Sequence, residues 1–350
     1  MTSPSQAAAA GAGTPSSSPD GGSGIDGITK ATEAESGELT GRSPGQLMWR
    51  RFRRDRSGVI SAYIVLFFFA IGLLAPVVSW LYGKDPYTRY GQEQPDLLNG
   101  FGYPIKPNGG IDGDFWFGIE PILGRDVLTQ LVYGIRTSLL LSVAVTLVSV
   151  LTGIVLGVAA GYLGGRTDFV VGRITDLLMG FPNQLFFVAF MPIVVALFVD
   201  PTDETPTYIR CVAIVLVLWF LGWMTLARIL RGAVLSLRER EFIEAAKISG
   251  ASPWRIIRKE LLPNLVTPIL VQGTYMLPNT VTSIAGLSFL GVGLVEPTPD
   301  WGRMFAIGAD VYENDFTYMF FPGVSMVIFI VAFNLLGDSV RDAFDPKTNR

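Results

Sequence analysis

The chain has 350 residues, 49% of them hydrophobic and only 16% charged, with a mean hydropathy of +0.42. That balance excludes an ordinary water-soluble globular chain and points to a membrane protein. There is no histidine and one cysteine, Cys211, which removes Ser-His-Asp and Cys-His nucleophiles, any internal disulfide and any cysteine-rich metal cage.

In chain order, residues 1–45 are mostly Ala, Gly, Ser, Pro and Thr with scattered acids. They hold too little apolar surface to offset the entropy of ordering, so a disordered cytoplasmic tail is expected. A basic start and an apolar core, the marks of a secretory signal, are missing near Met1, and the tail is expected to be retained. Residues 46–350 then read as one membrane domain. Arg50, Arg51, Arg53, Arg54 and Arg56 precede the uncharged stretch 59–82. A helix rises about 1.5 Å per residue and the hydrocarbon core is about 30 Å thick, so roughly 20 apolar residues suffice to span. Five more uncharged stretches follow, at 137–165, 177–199, 211–227, 261–295 and 316–337. The expected fold is all-α and polytopic, with six transmembrane helices at about 59–82, 137–163, 177–199, 211–230, 265–294 and 316–337. An outer loop, 83–136, separates the first two, and a cytoplasmic loop, 236–264, separates the fourth and fifth.

Six spans put both termini on one side. With that side cytoplasmic, the inner segments hold 20 of the 27 Lys and Arg, and the outer ones hold 15 of the 30 Asp and Glu. Basic loops stay inside, so the near-neutral net charge of −3 conceals a basic inner face and an acidic outer face.

Gly153, Gly157 and Gly161 recur every fourth residue in the second span and predict a helix-packing seam. The fifth uncharged stretch contains Pro263, Pro268 and Pro278 among several polar residues. Its Gln272, Asn279 and Ser283 are candidate path-lining residues; a kinked helix buried in the bundle is the alternative. Asp112, Asp114 and Glu120 in the outer loop lack the spacing of an EF-hand, and no metal site is expected. The pairs Arg173/Asp176 and Asp338/Arg341 are each three apart, a helix-face spacing that predicts local ion pairs at span ends.

The cytoplasmic loop predicts helix, sharp turn, helix. Ser236 and Glu239 have capping-box spacing, and Gly250 suits the left-handed residue that ends a helix. Ser252 suits an N-cap with Pro253 at the first helical position. Small Ala245 and Ala246 among charged side chains suit close docking of a partner; a solvated basic loop is the alternative.

Glu244-Ala245-Ala246, Gly250 and Leu262-Pro263 resemble the EAA loop of ATP-driven importer permeases. Further matches are Gly124-Arg125-Asp126, Gly161-Tyr162-Leu163-Gly164-Gly165 with Asp168, Leu287-Ser288-Phe289-Leu290-Gly291, Trp301-Gly302, and Asn334-Leu335-Leu336-Gly337-Asp338 with Asp345-Pro346. Together they resemble the C-type permease subunit of dipeptide/oligopeptide ABC importers over about 46–350, with departures at Ile119-Glu120, Gly172, Glu260 and Gly286.

The resemblance implies a multi-pass transport subunit in the plasma (inner) membrane of a prokaryote, not an enzyme. It implies a second related permease, two ATPase subunits and an extracellular solute-binding protein as partners, with no nucleic acid. Glu241, Glu244, Ala245, Ala246, Gly250, Ala251, Ser252, Pro253, Leu262 and Pro263 would form the ATPase-coupling loop. No Gly-x-x-x-x-Gly-Lys-Ser/Thr loop occurs, so this chain is expected to carry no cofactor, ATP and magnesium residing in the partner ATPases. Nickel-chelate, haem and oligosaccharide permeases of the same family are alternatives. An ion-driven secondary transporter is a further one, disfavoured because the six stretches contain no ionisable relay.

Overall fold

The computed structural model describes residues 44–200 and 202–344. Residues 1–43 of the expected tail and Asp345-Pro346 lie outside them. Pro44 and Gly45, assigned to the tail by composition, instead begin a helix, Pro44–Arg54 (α1), because proline's fixed φ suits a first turn. Close contacts divide the chain into Met1–Arg50 and Arg51–Arg350, and the remaining elements belong to the second unit.

These are α2 (Arg56–Leu73), α3 (Ala75–Tyr82), α4 (Val127–Leu163), α5 (Gly165–Leu178), α6 (Asn183–Ala196), α7 (Thr207–Gly222), α8 (Met224–Leu237), α9 (Glu241–Ile248), α10 (Pro253–Ile256), α11 (Leu262–Phe289), α12 (Trp301–Val311) and α13 (Phe316–Phe344). Among the described residues there is no strand, only isolated bridges at Leu98/Pro104 and Ile119/Asp126.

Four helical stretches, Arg56–Leu73, Val127–Leu163, Thr207–Leu237 and Phe316–Phe344, are long and apolar enough to cross a membrane. The pair α5–α6, bent by 93°, would make a fifth. With 28 residues α11 is long enough but more polar. Several expected boundaries shift. The first span is divided at Leu74, just before Pro76. α4 starts at Val127 rather than near 137, because the Asp126 carboxylate caps it, accepting the Thr129 amide at 2.7 Å. Arg136, whose charge delimited the uncharged stretch, lies half-buried inside that helix, its apolar stem packed and its charge free to reach out. The expected 265–294 span is one continuous helix, α11, ending at Phe289 despite Pro268 and Pro278. Hydroxyls of Thr274, Thr280, Thr282 and Ser283 donate back to carbonyls of the same helix at 2.8 to 3.0 Å, which satisfies them without an external partner.

The glycine seam determines the principal packing. An added Cβ at Gly153 would stand 3.0 Å from Leu226, at Gly157 2.6 Å from the Ala227 carbonyl oxygen, and at Gly161 2.7 Å from Val234 Cβ. α4 and α8 therefore approach along their backbones; only hydrogen fits at Gly157 and Gly161, and a methyl at Gly153 would need the Leu226 side chain to give way. Around this pair lie three buried apolar clusters. One joins α2, α11, α12 and α13 through Phe68, Val281, Trp301, Tyr318 and Phe329. Another joins α6, α7 and the C-terminal half of α11 through Met191, Ile214, Leu218 and Ile284. The third, Val158, Leu226, Leu230, Val234, Ile243, Ile256, Leu261 and Leu265, reaches into the 236–264 loop. At the other end of α2, the Asp55 carboxylate accepts the Ser57 and Gly58 amides at 3.0 and 3.2 Å and the Ser339 hydroxyl of α13, pinning α2 to α13.

Replacing Gly157 by Val must push α4 off α8. A loss of about 1–3 kcal/mol is expected for such overpacking, read as a lower unfolding midpoint of the purified protein in detergent. An unchanged midpoint would contradict the close approach.

Candidate functional site

The 236–264 segment is helical over most of its length. Ser236 lies in the last turn of α8, and α9 begins after Arg240, so the expected Ser236/Glu239 capping box does not form. α8 runs on because Val234 and Leu237 still belong to its buried face. Glu241 and Glu244 occupy the first turn of α9, where acidic groups suit the helix dipole. α9 ends at Gly250 with φ +76°. There the Gly250 amide donates to the Lys247 carbonyl and the Ala251 amide to that of Ala246, both at 3.0 Å, the paired bonds of a Schellman turn. Ser252 stands at the next N-cap without a side-chain bond, and Pro253 opens α10. A π-helical turn, Ile257–Leu261, then feeds α11, with Leu262 and Pro263 in its first turn.

One side of this element is anchored and the other is bare. Ile243, Ile256 and Leu261 are fully buried against α4 and α8. Glu241, Glu244, Ala245, Gly250, Ser252 and Pro253 are exposed, and Ala246 and Ala251 partly so. A recess of about 240 Å³ opens between Ala246, Gly250, Arg255 and Glu260. Around it Ile248 is 88% exposed, Trp254 67% and Phe242 40%. Sequence reasoning missed these three apolar side chains. The available signal was that Ile248 falls out of helical phase with Ile243, so both cannot face one core.

Two ion pairs join α5 to α8. Asp176 pairs with Arg228 at 2.5 Å, and Asp168 with Arg231, whose Nη2 donates at 2.8 Å. The expected Arg173/Asp176 pair is therefore replaced by a bond between helices. Asp338 likewise accepts the Tyr275 hydroxyl of α11 rather than pairing with Arg341. In both cases a neighbouring helix places a donor closer than the next turn does.

On α11, Gln272, Asn279 and Ser283 share one face; Asn279 is exposed, and Gln272 and Ser283 are half-buried. Seven- and four-residue spacings align them to within a few tens of degrees. The Gln184 amide of α6 completes this face, its Nε2 lying 2.7 Å from where a Gly286 Cβ would be. Gln184 was not singled out by the sequence, since only the fold brings α6 beside Gly286.

The model of the binding-protein-dependent transport system inner membrane component matches residues 153–350, more than half of the chain. The chain belongs to this family. A second model, the N-terminal TM domain of oligopeptide transport permease C, matches residues 43–99. The dipeptide transport system permease protein DppC of Bacillus subtilis is 34% identical over 92% of this chain and 91% of its own length. The oligopeptide transport system permease protein OppC of the same organism is 31% identical over 86% and 88%. A chain from inward-facing structures of the MetNI methionine ABC transporter superposes with a TM-score of 0.50 at 21% identity, over 62% of this chain and 96% of that one, a likeness of fold. As a transport component, this chain is not an enzyme.

The permease carries a second polar cluster between its helices, at the expected outer side. Arg125 is 2% exposed and Glu120 0%. Arg125 donates to Glu120 through Nε and, at 2.7 Å, through Nη2; it reaches Glu296 at 2.7 and 2.9 Å. Arg303 of α12 stands 2.5 Å from Glu296 and donates to Gln130 at 3.1 Å, and the Tyr318 hydroxyl of α13 donates to Glu120 at 3.1 Å. The cluster ties residues 119–126 to the 290–300 loop, α12 and α13. Burial pushes the Glu296 carboxyl up, but the Arg125 and Arg303 guanidiniums outweigh it and hold it below the usual range. Asp300, which caps α12 by accepting the Gly302 amide at 2.8 Å, is pushed up to about 6 by burial. Of the outer acids weighed for a cation, Asp112 is held by Lys106 at 2.5 Å and Glu120 by Arg125.

Arg125→Met would leave Glu120 buried and uncompensated, an expected cost of about 3–5 kcal/mol; the double variant Arg125→Met/Glu120→Gln should recover part of it. Thermal unfolding of purified protein checks both, and a double variant no better than the single one would contradict an ion-pair origin. Asp300 acts in the opposite sense to a paired acid. An unfolded aspartate titrates near 4 and this one at about 6, so its burial penalty is absent below pH ~4 and grows as pH rises through ~6. Asp300→Asn, which preserves the cap, should flatten the fall in stability between those pH values; an unaltered profile would show that Asp300 does not carry it.

Proposed function

We propose that this chain is one of two related permease subunits of an ATP-driven importer of dipeptides or oligopeptides, in the plasma (inner) membrane of a prokaryote. Similarity to dipeptide and oligopeptide permeases over about nine-tenths of the chain supports the solute class. The chain crosses six times, α11 and the bent pair α5–α6 being the two less apolar crossings, with both termini cytoplasmic; the excess of Lys and Arg on the inner segments supports this.

The observation that carries the mechanism is the anchored but bare element between Glu241 and Pro263. Its buried side is continuous with α4 and α8, so a push on its exposed side is delivered to the helix pair held by the glycine seam. Separate ATPase subunits dock on Glu241, Glu244, Ala245, Ala246, Gly250, Ala251, Ser252 and Pro253; Ile248 and Trp254 enter their surface. ATP and magnesium reside there, and this chain contributes no cofactor. Closure of the ATPases reorients the bundle between outward and inward states. Solute arrives from an extracellular binding protein and passes along the neutral face of Gln272, Asn279 and Ser283, shared with the second permease. Neutral amides and hydroxyls offer hydrogen bonds to any peptide backbone without selecting its side chains.

Glu244→Lys puts a like-for-opposite charge on the docking face, and Gly250→Pro cannot adopt the positive φ of the turn. Both should insert into the membrane normally yet lose at least about tenfold in ATP-driven uptake while ATP hydrolysis continues. Undiminished uptake by both in vesicles containing the complete transporter would overturn the assignment.

A further inference from the structure

A cavity of about 460 Å³ lies between the end of α6, the start of α7 and the residues just after α11, within the usual ~300–1,000 Å³ of small-molecule sites. Its floor is apolar, formed by Met191, Val195 and Val292, and three charged side chains line it, Asp200, Asp203 and Arg210. Arg210 is half-buried in the first turn of α7. Its Nη1 donates to the Gly293 carbonyl at 3.3 Å, while its Nε is buried with no partner. Among the described residues Arg210 forms no ion pair. The nearby acids are otherwise placed. The Asp200 carboxylate accepts the Thr202 amide at 3.0 Å and its hydroxyl at 2.8 Å, and Asp203 is exposed at the rim.

A buried guanidinium N–H normally has an acceptor. Among the described residues the two buried arginines have carboxylates: Arg125 and Arg303 have Glu296, and Arg125 has Glu120 as well. Arg210 lines this cavity without such a partner, and a guanidinium can offer paired N–H groups to a carboxylate in planar fashion. Opposite charges lining one cavity without pairing suit a ligand carrying both.

We propose that this cavity is an entry subsite for a zwitterionic short peptide, with Arg210 binding its C-terminal carboxylate and the acidic rim facing its ammonium. The proposal rests on the peptide reading of the transporter. It places recognition of the peptide terminus in the permease, whereas the neutral face of α11 is indifferent to it.

The test uses the complete transporter in vesicles, with the external binding protein loaded to equal occupancy with a dipeptide or with the same dipeptide amidated at its C-terminus. The wild-type chain should prefer the free acid, and Arg210→Gln should lower the ratio of free-acid to amidated uptake by about tenfold, the order expected for one charge-assisted hydrogen-bond pair; Arg210→Lys should retain part of it. An equal fall for both peptides would mean that Arg210 only supports the fold and would overturn the subsite, as would an unchanged ratio. Loss of co-purifying phosphatidylethanolamine from Arg210→Gln with an unchanged ratio would assign the cavity to a lipid headgroup instead. Failure of the wild-type transporter to take up either peptide would overturn the peptide reading itself, and the subsite with it.

Discussion

The close approach of α4 and α8 is the contact on which the rest of the molecule depends. Within hydrocarbon no hydrophobic driving force pulls two helices together, so association rests on van der Waals contact between surfaces that fit. Gly153, Gly157 and Gly161 provide that fit by omission, letting Leu226, Ala227 and Val234 lie against the α4 backbone. Because α8 leads directly into α9 and shares its buried cluster with Ile243, Ile256 and Leu261, the same seam that holds the bundle also supports the 236–264 element. The bundle and the 236–264 element form one continuous packing arrangement.

Charge is arranged around that apolar middle in two different ways. The pairs Asp168/Arg231 and Asp176/Arg228 bridge α5 and α8 in partly exposed positions, where each contributes little energy but fixes the orientation of a short helix. Near the start of α4, Glu120, Arg125, Glu296 and Arg303 form a compact, mostly buried network. The hydrogen bonds of Arg125 to Glu120 and Glu296 offset part of its desolvation cost, while Nε and Nη1 of Arg303 are buried without a hydrogen-bond partner. The network holds the 290–300 loop, and hence the C-terminal end of α11, in one position. Arg210 stands apart from both arrangements, half-buried beside the cavity between α6 and α7 and without an ion pair among the described residues.

Much of the coupling element was legible in sequence. Gly250 at a positive φ, Pro253 at a first helical position and the acids opening α9 are local backbone requirements, and local rules read them. The Ser236/Glu239 cap misled because the same spacing occurs inside a helix that its buried face prolongs. The local ion pairs at Arg173 and Asp338 misled for a related reason, since a donor on a packed neighbour is invisible to spacing along one helix. Pro268 and Pro278 did not break α11, because internal hydroxyl bonds and packing against α4 and α13 keep it continuous.

The sequence by itself determined that this chain belongs in a membrane, which segments are apolar enough to enter it, where its glycine seam runs and which loop carries the docking pattern. Those properties follow from hydropathy, helical period and the backbone preferences of Gly and Pro, all of which act over a few neighbouring residues. Tertiary structure alone decided which helix receives the seam, that Arg125 meets Glu296 across 171 positions, that Gln184 joins the face of Asn279, and that Arg210 is left without an acid beside an open cavity. The physical reason is that charge pairing and burial depend on distance in space, and a helical chain brings together residues whose separation in sequence carries no trace of it.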